Sequence, residues 1–187
     1  MTHRDRLKAL LIERSVRLGD FTLASGAKSD YYIDARRTTM SAEGQFLVGL
    51  VGYEEIHASG LSATHVGGLT MGADPIAYAI AHRSFIEGNE INGFSVRKQA
   101  KDHGTGQRIE GGLPEDGRAL MVEDTMTTGH STLQAVEAVR SLGAQIVGVL
   151  NVVNRSSTAG ELYEKQGLKL ISIFTGYELV EEARRLV

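Results

Sequence analysis

Short apolar runs recur along this chain at Thr64 to Val66, Gly93 to Val96, Arg118 to Val122 and Ile146 to Val153, with helix-patterned stretches between them. Runs of this length and composition fit strands buried on both faces. Strand and helix in alternation predict an α/β fold, a central parallel sheet flanked by helices on both sides. In such a sheet, ligands bind beyond the carboxyl ends of the strands, where Gly67-Gly68, Arg97 and Glu123-Asp124 fall.

Leu7, Leu10, Leu11 and Leu18 stand near helical spacing among basic residues, which predicts an amphipathic opening helix that ends at Gly19 and buries its leucines. Phe21 to Leu23 and Tyr31 to Asp34 read as short strands around a Ser25-Gly26 turn. Ser41 is the N-cap of a helix reaching about Ser59, with Phe46, Leu47, Leu50, Val51 and Ile56 on its buried face. Asp74 caps the next helix, with Pro75 in its first turn. Another helix runs from about Ser131 to Leu142 and closes at Gly143. A last helix, Ala159 to Gln166, ends at Gly167, and Leu168 to Phe174 supplies one more strand.

With 187 residues, 42% of them hydrophobic, the chain has material for one sizeable core, and its length predicts a single domain over 1–187. Cys 0 excludes disulfides, thiolate metal sites and a cysteine nucleophile, and is compatible with a cytoplasmic protein. Residues 1–18 carry charges among their leucines and lack the apolar core of a secretion signal, and no run is long enough to span a bilayer. A net charge of -3 gives no electrostatic reason to expect nucleic-acid or membrane binding.

The chemistry concentrates in Ala119 to Ser131, where four apolar residues lead into two adjacent acids and a hydroxyl-rich loop. This order suits a buried strand whose end projects Glu123 and Asp124 beside a turn, Thr125 to Ser131, that opens the next helix. Amides and hydroxyls at a helix N-terminus bind a phosphate dianion, and paired carboxylates accept from two neighbouring ribose hydroxyls. The stretch has neither the lysine of a Walker A loop nor the glycine spacing of a dinucleotide fingerprint. One of the two acids, Glu123 more than Asp124, competes for a structural role in the turn, and Thr127 and Thr128 compete as simple caps. A second motif, Arg97 to Gly106, crowds Arg97, Lys98, Lys101 and His103 beside glycines in a chain of slightly acidic balance. A local cluster of that kind suits a polyanion such as pyrophosphate.

Together with Phe21-Thr22-Leu23-Ala24-Ser25-Gly26 and Asp30-Tyr31-Tyr32-Ile33-Asp34, these motifs resemble the orotate phosphoribosyltransferases among the type I phosphoribosyltransferases. Val66 to Pro75 and Val122 to Thr125 look most like the bacterial, particularly actinobacterial, form. The resemblance runs from about Phe21 to Arg155 and implies the type I phosphoribosyltransferase fold, with a small N-terminal hood over 1–40 and a flexible catalytic loop over 97–110. It implies transfer of ribose 5-phosphate from phosphoribosyl pyrophosphate (PRPP) to orotate, in pyrimidine biosynthesis.

It also implies roles. Glu123 and Asp124 take the ribose hydroxyls. The run Thr125-Met126-Thr127-Thr128-Gly129-His130-Ser131 takes the 5-phosphate, with Thr127 touching orotate as well. Arg97, Lys98, Lys101 and His103 neutralise the pyrophosphate as it leaves, His103 as proton donor or only as hydrogen-bond donor. Arg155 pairs with the orotate carboxylate, although by itself it reads as a surface arginine after a strand. Tyr31 and Tyr32 flank the base, and alternation lets one of them face the site. Mg²⁺ is expected on the substrate diphosphate without a dedicated protein cage, and a homodimer sharing its lid between subunits follows from the resemblance. Two positions depart from the family pattern: Ala24 and Met71 stand where many members carry lysine.

Overall fold

The computed structural model describes residues 1–22, 26, 28–99 and 108–187. Helix α1, His3–Ser15, starts at a capping box in which Thr2 and Asp5 satisfy each other's backbone amides. It ends four residues before Gly19. Val16 is already extended, and β1, Val16–Thr22, pairs antiparallel with β2, Lys28–Ile33. Gly19 lies inside β1 at φ 147, beside a shift of register, so it shapes the strand and does not stop the helix. Leu18 is consequently exposed, while Leu7, Leu10 and Leu11 are fully buried.

A short helix absent from the expected pattern, α2 (Arg36–Thr39), follows the hairpin. Helix α3, Ala42–Ala58, begins as predicted at Ser41, whose hydroxyl accepts from the Gly44 amide at 3.1 Å. Leu47, Leu50, Val51 and Ile56 are buried, but Phe46 is 59% exposed and is not core. The next elements are β3 (His65–Leu69), α4 (Asp74–Ile86) and β4 (Asn92–Val96). Asp74 is the first residue of α4 and makes no cap; its carboxylate accepts from Ser95 instead. Then come β5 (Ile109–Glu110), β6 (Arg118–Met126), α5 (His130–Leu142) and β7 (Gln145–Asn154). The chain closes with α6 (Ala159–Glu164), β8 (Leu170–Thr175) and α7 (Gly176–Arg185), so the helix expected to be last is followed by another.

Among the described residues the main sheet has order β5-β4-β3-β6-β7-β8, parallel throughout except for the short edge strand β5. Two cores lie on its two faces. One joins Leu7, Leu10, Val48, Ile80, Val152 and Leu179 from the hood side, α3, α4 and α7; the other joins Val136, Val139 and Tyr163 from α5 and α6. Gly67 and Gly68 sit within β3, not past its end, where a Cβ would lie 2.2 Å from the Phe94 carbonyl oxygen and 2.3 Å from that of Val122. The pair allows close packing of the sheet and does not line the ligand end. No described helix is long and apolar enough to cross a membrane.

Candidate active site

Strand β6 outlasts its apolar stretch because β7 continues beside it: Glu123 pairs with Asn151 and Thr125 with Val153. The acids therefore belong to the strand, and the turn begins only at Thr127. Gly129, at φ 78, precedes α5, and the Tyr163 hydroxyl donates to its carbonyl at 2.9 Å. A Cβ on Gly129 would lie 2.9 Å from that hydroxyl, so both conformation and space call for glycine. Among the described residues no side chain caps α5. Thr127 and Thr128 are thus not its caps, and the amides of its first turn keep their donor capacity for an anion.

A cleft of about 720 Å³ opens above this strand end, bounded by Glu123, Asp124, Thr125 and Ser131 on one side and by Tyr32, Arg36 and Met71 on the other. Glu123 accepts from the Thr132 hydroxyl at 2.9 Å, tying the strand to the first turn of α5. Burial, followed by the neighbouring charge of Asp124, pushes the Glu123 carboxyl up to about 7. Asp124 accepts from the Thr125 amide at 2.7 Å, and a Cβ on Gly72 would come within 2.7 Å of its Oδ1. The Thr70–Asp74 loop therefore rests directly against the acid pair, and only the missing side chain of Gly72 allows it. Met126, expected among the phosphate-binding residues, is 1% exposed and belongs to the core. Its side chain faces away because strand residues alternate, and only its backbone reaches the site, accepting from the Arg155 amide at 2.8 Å. Thr127, Thr128, His130 and Ser131 are exposed around the turn.

Of the basic motif, Lys98 lines the cleft. Arg97 is turned to the return strand, where its Nε donates to Glu110 at 3.0 Å. Lys101 and His103 lie outside the described residues, as does Ala24. Arg155 and Tyr31 are not on the main cleft. They line an adjoining cavity of about 430 Å³, and the guanidinium carbon of Arg155 lies 5.1 Å from the centre of the Tyr31 ring. Arg155 Nε is buried without a hydrogen-bond partner among the described residues, which leaves a charged donor available to an acceptor on a ligand. Tyr32 lines the cleft and Tyr31 packs against the core and Arg155, the division that alternation requires.

Arg36, which no motif singled out, and Asp74, expected only as a helix cap, also line the cleft. The Asp34-Ala35-Arg36-Arg37 run was a signal of sorts, a switch from acid to base directly after a strand. For a metal, the described residues gather no group of three or more His, Cys, Asp or Glu side chains. The cleft nonetheless offers hard oxygen donors in Asp74 and Asp124, which suit a cation that takes most of its ligands from phosphate and water.

Comparison with known proteins bears on this arrangement. Residues 53–182 match the phosphoribosyl transferase domain family. The chain is 43% identical over 183 residues to an orotate phosphoribosyltransferase of Aquifex aeolicus (strain VF5), covering 96% of this chain and 99% of that protein. It superposes on a crystal structure of the Mycobacterium tuberculosis H37Rv orotate phosphoribosyltransferase in complex with Fe(III) dicitrate with TM-score 0.85 at 43% identity, covering 95% of this chain and 99% of the other. The PRPP complex of that protein matches with TM-score 0.80 at 38% identity, again over 95% of this chain and 99% of the other.

Proposed function

The chain belongs to the orotate phosphoribosyltransferases within the phosphoribosyl transferase family, and from that premise we propose how its cleft performs the reaction. The enzyme transfers ribose 5-phosphate from PRPP to orotate, giving orotidine 5'-phosphate and pyrophosphate in pyrimidine biosynthesis. The observation that carries this reading is the β6 strand end, where Glu123 and Asp124 meet the uncapped, glycine-headed N-terminus of α5 inside one cleft.

Asp124 and ionised Glu123 accept from the ribose hydroxyls, while the turn from Thr127 to Ser131 and the first amides of α5 hold the 5-phosphate. The C1–O bond to the diphosphate breaks and its electron pair leaves on the diphosphate oxygen. The deprotonated ring nitrogen of orotate gives its pair to C1. Lys98 faces the leaving group, and Arg97, Lys101 and His103 are the further cations assigned to it. Cations fixed near the developing charge favour the transition state over the ground state. Arg155 forms a fork with the orotate carboxylate, backed by Tyr31, and Tyr32 stands beside the base. Asp74 and Asp124 are the carboxylates that would hold Mg²⁺ together with the diphosphate, and the ion would screen the charge of the leaving group. The protein itself binds, orients and excludes water, and supplies no nucleophile.

We further propose a cytoplasmic homodimer in which residues 1–187 form one domain in each copy. One core, shared by Leu7 and Leu10 of the hood with Val48 and Val152 of the body, supports the single domain. Phe46, Tyr78 and Ile86, exposed around one surface hollow between α3 and α4, offer an apolar surface that suits a second copy of the chain. The test of the reaction is the ultraviolet absorbance of orotate incubated with protein, PRPP and Mg²⁺. Loss of the orotate band only when PRPP is present is the expected result, and an unchanged band in protein that still binds PRPP would overturn the choice of acceptor.

A further inference from the structure

Arg36, the first residue of α2, enters the cleft from the hood. Its Nε donates to Asp34 Oδ1 at 2.9 Å and stands 4.0 Å from Asp124 Oδ2. That bond engages only the inner nitrogen. Among the described residues Nη1 and Nη2 donate to no protein atom, so the planar outer edge of the guanidinium is a two-nitrogen fork left open on a cleft wall. Asp34 holds the group by its back edge, which fixes the direction of the fork without using it.

Carboxyl groups outnumber cations on the cleft wall, so an anion can be received there only at those cations. Asp34, Asp74, Glu123 and Asp124 line the cleft, and among the described residues Arg36 and Lys98 are the cations lining it. A diphosphate ester entering there meets four carboxyl groups, and it must be received by cations placed between them and the phosphates. Position then selects which part of the substrate is received. With the ribose hydroxyls on the acid pair and the 5-phosphate on the α5 turn, the substituent next to the 2-hydroxyl is the diphosphate on C1. Arg36 stands next to Asp124 and comes from the hood, not from the α5 turn. The Met71-Gly72 loop closes on the same carboxylate, as the 2.7 Å approach of a Gly72 Cβ to Asp124 Oδ1 shows.

We propose that Arg36 is a diphosphate-binding residue, its Nη fork taking phosphate oxygens of the leaving group, with Asp34 as the positioning residue that aims it. The guanidinium transfers no proton. It meets a charge that grows as the C1–O bond breaks, so it acts on turnover as well as on binding. This assignment rests on the phosphoribosyl-transfer reading above, and the following experiment separates the two.

Inorganic pyrophosphate with Mg²⁺ and, separately, ribose 5-phosphate are titrated calorimetrically into the wild-type protein and the Arg36→Gln, Arg36→Lys and Asp34→Asn variants, alongside steady-state kinetics. Arg36→Gln is expected to weaken pyrophosphate binding by about tenfold or more, and to lower kcat/KM for PRPP at least as far, with ribose 5-phosphate affinity and the orotate KM within about twofold of wild type. Arg36→Lys keeps the charge but loses the fork, and should recover part of the pyrophosphate affinity. Asp34→Asn should show the same ligand selectivity to a smaller extent and add nothing in the Arg36→Gln background. Equal loss of both ligands, or unchanged pyrophosphate affinity, would overturn the proposal. If Arg36→Gln does not fold, the Arg36→Lys comparison decides by the same criterion. If the wild type binds pyrophosphate but consumes no orotate, the reaction assignment falls while the titrations still decide Arg36.

Discussion

The ribose-phosphate end of the cleft comes from one continuous stretch of chain, while the opposite wall is gathered from the hood at Asp34 and Arg36, the loop after β3 at Thr70 to Asp74, and Lys98 after β4. The first end is fastened internally: Thr132 bonds Glu123, and Tyr163 bonds the carbonyl of Gly129. The second holds its shape through contacts between distant segments, among them Ser95 donating to Asp74 and the Gly72 loop resting on Asp124. Grip on the phosphoribosyl group and selection of base and leaving group are therefore separable, and substitutions should divide along that line.

The largest effect is expected at the continuous end. Asp124→Asn should lower kcat/KM by roughly a hundredfold or more, the size of losing charge-assisted bonds to two hydroxyls, and should weaken ribose 5-phosphate in parallel. Steady-state kinetics with calorimetry checks this, and retained ribose 5-phosphate affinity would break the comparison. Next comes Arg155→Ala, for which the orotate KM should rise by about tenfold or more while the KM for PRPP holds. A loss spread equally over both substrates would mean that Arg155 supports the hood and does not select the base.

A smaller, pH-dependent effect follows from Glu123. Burial holds its carboxyl near 7, and ribose hydroxyls need the ionised form as acceptor. Affinity for ribose 5-phosphate should therefore rise from pH 6 to pH 8 more steeply in wild type than in Glu123→Gln, which controls for titration of the ligand phosphate. The stability linkage has the opposite slope. The folded chain keeps a proton that the unfolded chain releases above its ordinary 4.5, so the stabilisation is full below that pH and is lost as pH rises through about 7. Melting curves of wild type and Glu123→Gln across that window test the sign. The smallest effect should come from Arg184→Ala, whose ion pair with Asp30 is exposed and screened by solvent. A change of no more than about fivefold in the orotate KM, with ribose 5-phosphate unmoved, would sharpen the distinction between the two ends.

How far each end could be read in advance follows the same division. Ser41 as a cap, Gly143 as a stop and the apolar runs of β4, β6 and β7 are local signals, and each marks an element the fold contains. Helix α7 carries a local signal as well, the Thr175–Glu178 capping box. Phe46 has the right helical phase for burial yet faces outward, since phase defines a helix face but not what covers it. Met126 lies in the motif by sequence and in the core by alternation.

The sequence by itself determined the alternating architecture, the strand that carries Glu123 and Asp124, and the glycine that turns into α5, because hydrophobic period, capping and backbone freedom act over a few residues. Tertiary structure alone decided that Arg36 and Asp74 share the cleft, that Gly72 lets a loop rest on Asp124, that Tyr31 faces Arg155, and that Glu123 is buried enough to hold its proton near neutral pH. Those features depend on distances between segments far apart in the chain and on exclusion of water, and neither is a property of any short stretch of residues.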